Sequence, residues 1–92
     1  MIQSFRHKGL EKFFISGSKS GIIPEHADKI ARILDRLDAS ISASDMNLPG
    51  YRLHELKGKN DDTWSVTVNA NWHITFKFEG QNAVSVDYQD YH

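Results

Sequence analysis

Trp64-Ser-Val-Thr-Val-Asn-Ala-Asn-Trp72-His-Ile-Thr-Phe-Lys-Phe78 is the stretch whose reading decides the fold. Trp64, Val66 and Val68 share one parity, with Thr63, Ser65 and Thr67 on the other. After Asn69-Ala70-Asn71 the pattern resumes, Trp72, Ile74, Phe76 and Phe78 against His73, Thr75 and Lys77. Period-two alternation in β-branched and aromatic residues predicts strands with one buried and one wet face. The Asn-rich break predicts a hairpin turn, since Asn tolerates a positive φ. Gly80-Gln81-Asn82 predicts a second turn, and Val84, Val86 and Tyr88 a third strand. The chain is thus built around an antiparallel meander over 63–90.

Working outward, Arg52-Leu-His-Glu-Leu-Lys-Gly58 reads as a further strand beside the meander, anchored by Leu53 and Leu56 and delivered by a Leu48-Pro-Gly turn. Lys59 to Asp62 reads as a loop. Upstream, Ala27, Ile30, Ile33, Leu34, Leu37 and Ile41 recur at helical spacing behind Pro24, a residue suited to a first helical turn. The opposite face is charged and reads as solvated. Such a helix, about 25 Å long at about 1.5 Å per residue, would cover the apolar face of the sheet. Leu10, Phe13 and Phe14 mark a shorter helix ended by Ser16-Gly17, and Ile2 to Phe5 a short first strand. The expectation is one α+β domain over 1–92, two N-terminal helices packed as one layer on an antiparallel sheet.

Composition removes several functions. Ninety-two residues suffice for one core and not two. The absence of cysteine excludes a disulfide framework, a thiolate nucleophile and a zinc–thiolate site. The N-terminus has no apolar run of a signal peptide, and nothing could span a membrane as a helix, so a cytoplasmic location is expected. A net charge of −1 argues against a general nucleic-acid binder. Glycine-rich phosphate loops, nucleophile elbows and metalloprotease helices are absent.

What remains is a set of polar groups around the meander: His54, Lys57, His73, Lys77, Asp90, Tyr91 and His92. His73 and Lys77 point away from the core, and His54 and Lys57 sit on a segment that must join the same sheet. An imidazole moves protons near neutrality, a lysine stabilises phosphate charge, and a tyrosine stacks or donates its hydroxyl. Cleavage of RNA by its own 2′-hydroxyl needs an acid, a base and cationic support, which these residues could provide. A metal site from His54, His73, His92 and Asp90 lacks any local ligand spacing.

Leu48-Pro-Gly-Tyr-Arg-Leu-His-Glu-Leu-Lys-Gly58, the Trp64–Phe76 run and Asp87-Tyr-Gln-Asp-Tyr-His92 resemble the HigB branch of the RelE/ParE toxin superfamily, as does the opening Met1-Ile-Gln-Ser-Phe-Arg-His-Lys-Gly-Leu10. The resemblance covers essentially the whole chain. It implies a RelE-like two-layer fold and a toxin of a type II toxin–antitoxin system, a ribosome-dependent messenger-RNA endonuclease using no metal or other cofactor. The implied partners are a HigA-like helix-turn-helix antitoxin, the ribosome and message, and operator DNA indirectly through the antitoxin, with no membrane. The implied catalytic residues are His54, Lys57, Asp90, Tyr91 and His92, with His54 and His92 as acid–base groups in an order left open. Asp90 would tune an imidazole, Tyr91 contact substrate and Lys57 stabilise the phosphorane. His73, Lys77 and Arg52 are candidates for substrate binding.

One departure stands out: relatives carry Trp-Arg-Ile-x-Phe where this chain has His73. Arginine offers a permanent charge and a bidentate fork to phosphate, and histidine does neither unless protonated. Two further readings keep the fold. A ParE-like gyrase inhibitor would not need His54, Lys57 or the Asp90-Tyr91-His92 tail, and a worn toxin would survive as an antitoxin-binding co-repressor.

Overall fold

Alternation in the last third of the chain resolves, in a computed structural model that describes residues 1–56 and 62–90, into three consecutive antiparallel strands. These are β2 (Thr63–Asn69), β3 (Trp72–Glu79) and β4 (Asn82–Asp90), and β1 (His54–Leu56) pairs antiparallel outside β2, giving the order β1-β2-β3-β4. Val66, Val68, Ile74, Phe76, Ala83, Val86 and Tyr88 form the buried face of the sheet. Against it lie α1 (Lys8–Ser16) and α2 (Ala27–Ala39), whose Leu10, Ile30, Ile33, Leu34 and Leu37 complete one core. The fold is the α+β two-layer arrangement expected from the alternating and helical periods.

Two bulges adjust the alternation. In β2 an extra residue falls between the pairs Thr67–His73 and Asn69–Trp72. In β4 an extra residue falls between Asp87, opposite Thr75, and Val84, opposite Lys77, with Ser85 at φ 55°. An inserted residue reverses which face the following side chains take. Val84 therefore lies opposite Lys77, outside the main core cluster, and Ala83 takes the core position. Val84, Val86 and Tyr88 all fall on β4 as expected, with the alternation broken at Val84.

The hairpin between β2 and β3 also differs in one particular. The residue at positive φ is Ala70, at 51°, rather than either flanking Asn. Pro49 and Gly50 make the turn as read: Gly50 has φ 85° and the Tyr51 amide donates to the Leu48 carbonyl at 3.0 Å, the pattern of a type II turn.

The helical layer begins with an unusual cap. The Leu10 amide donates to Nδ1 of His7 at 3.0 Å, occupying one of the unpaired donors at the start of α1. Gly17 ends the helix at φ 79°. Pro24 starts a 3₁₀ turn through His26 before α2, and the α-helix ends at Ala39 with Ser40 as its cap. Ile41 therefore falls beyond the helix and is 57% exposed, which removes it from the apolar stripe. Nor is the charged face of α2 purely solvated. Lys29 donates to the Gly50 carbonyl at 3.3 Å, Arg36 to the Asp45 carbonyl at 3.0 Å, and Asp38 accepts from the Ile2 amide at 2.8 Å.

Ile2–Phe5 is no full strand. It makes two isolated parallel bridges to β4, at Ile2–Ala83 and Phe5–Val86, and between them the Ser4 hydroxyl accepts from the Ser85 amide at 2.8 Å. The side chain of Ser4 thus occupies the amide that the bulge takes out of register.

Gly9 and Gly21 bring two backbones into direct contact. A Cβ on Gly9 would meet the Gly21 carbonyl oxygen at 2.6 Å, and one on Gly21 would collide with Gly9 Cα. No flexible side chain can move aside there, so Gly21→Ala must push the connector off α1. Such overpacking costs about 1–3 kcal/mol. At about 4–8 °C per kcal/mol for a chain of this size, the thermal midpoint should fall by roughly 10 °C. An unchanged midpoint in a calorimetric scan would show that the two backbones separate freely.

Candidate active site on the open sheet face

The side of the sheet away from the helices carries Thr63, Ser65, His73, Thr75 and Lys77 on β2 and β3, facing His54 on β1 and Gln89 on β4 by register. Each is there because its neighbours in the alternation are apolar and claimed by the core. His54 enters this face after a sharp change of direction. Gly50 and Arg52 both have positive φ, 85° and 52°, and between them the Tyr51 carbonyl accepts from the Thr67 amide at 2.7 Å. This bond and the β1–β2 pairing hold His54 across from Ser65.

His54 Nδ1 lies 3.0 Å from the Arg52 carbonyl oxygen. A carbonyl only accepts, so Nδ1 carries the proton and the neutral ring keeps its lone pair on Nε2. The ring is exposed. Its neighbour is His73, whose ring centroid is 6.3 Å away with the planes at 90°. His73 Nδ1 is in turn 3.2 Å from the hydroxyl of Ser65, which is completely buried.

Burial holds the His73 imidazole below the usual histidine range, the neighbouring His54 lowers it further, and Asp90 acts the other way. His73 is therefore predominantly uncharged at neutral pH, with the exposed ring of His54 beside it. Asp90 closes β4 opposite Trp72, one register step from the His73–Gln89 pair, and its side chain is exposed.

The residues singled out from sequence divide accordingly. His54, His73 and Asp90 are brought together. Lys77 sits farther along β3, in a separate cavity beside Thr63, Thr75 and Gln89. Arg52 contributes its carbonyl to orienting His54, and its side chain is exposed. Lys57, Tyr91 and His92 lie outside the described residues, as does most of the 59–62 loop. Among the described residues no three His, Asp or Glu side chains converge as a metal-ion site.

Three participants are absent from the sequence reading. Ser65 orients His73, and the signal for it was the hairpin register, which sets position 65 diagonally across from 73. His26 and Tyr88 are joined by a 2.7 Å hydrogen bond between Nδ1 and the phenol oxygen, with Trp72 packed against both rings. Burial raises the Tyr88 phenol above its ordinary range, a backbone hydrogen bond from Ile23 lowers it, and Asp90 raises it. A buried tyrosine needs a partner for its hydroxyl. His26, in the 3₁₀ turn just before α2, is that partner.

Comparison with known proteins agrees over the whole chain. Residues 3–92 match the family described as RelE-like toxin of type II toxin-antitoxin system HigB. The chain is 42% identical to Endoribonuclease HigB of Proteus vulgaris over 92 residues, covering all of both proteins. It is 33% identical to an uncharacterized protein of Haemophilus influenzae, over 98% of this chain and 90% of that one. With a family match spanning 3–92 and a full-length relative at this identity, the chain belongs to the HigB-like toxins of type II toxin–antitoxin systems.

Proposed function

We propose that this toxin is an endoribonuclease that cuts messenger RNA on the ribosome, with His54 as the general base. The observation that carries the reading is the state of His54: an exposed imidazole on the open face with Nδ1–H anchored to a carbonyl and Nε2 left to exchange protons. The Proteus vulgaris relative is named an endoribonuclease and is aligned with this chain from end to end.

In the proposed reaction Nε2 of His54 takes the proton of the 2′-hydroxyl, whose oxygen attacks the adjacent phosphorus. A pentavalent phosphorane follows, and the bond to the 5′-oxygen breaks as His92 returns a proton to it. The products are a 2′,3′-cyclic phosphate and a 5′-hydroxyl end. Lys57 stabilises the phosphorane charge, Asp90 tunes the neighbouring imidazoles, and Tyr91 and Arg52 contact the substrate. General acid–base steps of this kind contribute about 10²–10⁴-fold each.

The near-neutral net charge supports dependence on the ribosome, since a chain at −1 gains little from non-specific attraction to phosphate. Membership in a type II system implies an antitoxin partner. We assign it the HigA-like, helix-turn-helix form, through which the complex would reach and repress its own operator. The test is purified toxin with a defined message, alone and on programmed ribosomes. Cuts within the ribosome-occupied codon bearing 2′,3′-cyclic phosphate ends are expected only in the second case. Equal cutting of naked message would remove the ribosome from the reading, and no cutting in either would remove the nuclease.

A second reading draws support from His73. With that imidazole mostly uncharged, the site has lost a fixed cation, and a worn toxin retained as a co-repressor would bind antitoxin tightly without arresting growth.

A further inference from the structure

The open face continues beyond the histidines. A cavity of about 70 Å³ is lined by Arg6, Leu56, Thr63, Thr75, Lys77, Ser85 and Gln89. Beside the apolar Leu56 it presents two cations, three hydroxyls and an amide, with no carboxylate among the described lining residues. Among the described residues no carboxylate lies at ion-pair distance from the Arg6 guanidinium or the Lys77 ammonium. Two acids share this face by register, Glu79, two residues beyond Lys77 on β3, and Asp87, opposite Thr75. The Asp87 oxygens accept from the Tyr88 amide at 2.9 Å and the Gln89 side-chain amide at 2.7 Å.

Two structural features build this cavity rather than leave it to chance. The β4 bulge holds Ser85 at φ 55°, a conformation that costs a non-glycine residue about 1–2 kcal/mol. Ser85 keeps the face it shares with Gln89 and lines the cavity, while the bulge brings Val84 opposite Lys77. The N-terminal segment is tied to β4 on either side of that bulge, and the Arg6 amide donates to the Val86 carbonyl at 2.8 Å, fixing Arg6 at the rim.

The cavity is too small for a nucleobase and suits a compact tetrahedral anion. It adjoins the catalytic histidines, because Gln89 is the register partner of His73 and Thr75 follows it on the same face of β3. Four residues of strand separate Lys77 from His73, about 13 Å at about 3.3 Å per residue. The Lys77 end of the cavity therefore lies away from the phosphate under attack.

We infer that the Arg6–Lys77 cavity is a second phosphodiester subsite, gripping a phosphate of the same RNA strand away from the scissile one. The inference rests on the reading of the chain as a ribonuclease. Its role is to fix the direction of the strand across the open face, so that the 2′-hydroxyl presented to His54 belongs to the correct nucleotide. Phosphate contacts set register without reading sequence.

The test is the double variant Arg6→Gln, Lys77→Gln beside wild type, in two assays. On programmed ribosomes the variant should raise KM about tenfold, as expected for two lost charge-assisted contacts, with kcat within about twofold. In a salt titration of binding to a short single-stranded RNA, followed by fluorescence anisotropy, its slope should be shallower by about 0.7 for the phosphate lost. An unchanged KM and slope would overturn the subsite while leaving the nuclease intact. A raised KM with an unchanged RNA slope would place the contact on ribosomal RNA and overturn a message subsite. If wild type cuts nothing, the ribonuclease reading has failed on its own. The titration then decides the cavity: a shallower variant slope supports it, and equal slopes or no binding overturn it.

Discussion

Replacing His54 with alanine should reduce cleavage on programmed ribosomes by about 10²–10⁴-fold, the usual contribution of one positioned proton-transfer group. The fold should survive, because the ring is exposed and its hydrogen bond to the Arg52 carbonyl is local. An unchanged thermal midpoint beside a collapsed kcat is the expected pair of results. His54→Gln should be nearly as poor as alanine, since an amide can replace the Nδ1–H donor but cannot take a proton. Activity within about tenfold of wild type would move the base to another residue. His73 would be the next candidate, given its place beside His54.

The second large effect runs upward. His73→Arg installs the arginine expected from the Trp-Arg-Ile-x-Phe pattern of the toxins this sequence resembles, and should raise the cleavage rate by about 10-fold or more. The bound comes from oxyanion-type donors, each worth about 10²–10³. Arginine supplies its charge at every working pH, whereas His73 is held below its ordinary pKa by burial and by His54, against the pull of Asp90. The sign of the pH dependence follows. As pH falls through and below the normal histidine range, His73 gains its proton and the native site regains a cation. The ratio of variant to wild-type rate should therefore be largest at pH 7 and above and shrink towards pH 5.5. A rate ratio near one across the range would show that position 73 does not face the developing charge. The hydrogen bond to Ser65 would then be its purpose.

Much of this geometry was legible because the chain repeats itself at two clear periods. Alternation from Thr63 to Glu79 needs only the count of two to assign faces, and it set Val66, Ile74 and Phe76 inside with His73 and Lys77 outside. The helical stripe from Ala27 to Leu37 was equally plain. Where parity breaks, a bulge is responsible: Ser85 carries no residue-level mark of its positive φ, so the shift that sets Val84 opposite Lys77 was not legible. Ala70 illustrates the same limit, since Asn is the better-suited type and stands on both sides of it. Ile41 obeyed the helical spacing, but Ser40 had already ended the helix.

The site was legible in type rather than in detail. His54 and His73 could be assigned to one sheet face from sequence, but their T-shaped contact depends on the β1–β2 register, which a three-residue strand barely encodes. The pairing of His26 with Tyr88 spans 62 positions and needed the packing of α2 to appear. Arg6 was hidden for a similar reason. Only the bridges from Ile2 and Phe5 to β4 bring the N-terminal segment to the rim of the sheet.

Most directly, the central claim is tested by inducing the toxin in a bacterial host and mapping 5′ ends on a reporter message by primer extension. Two forms of the reporter, with and without a start codon, would be compared, alongside His54→Ala. The account predicts growth arrest and cuts confined to the translated form, all lost with the variant. Cuts that persist without translation, or growth arrest that survives His54→Ala with the message intact, would contradict it.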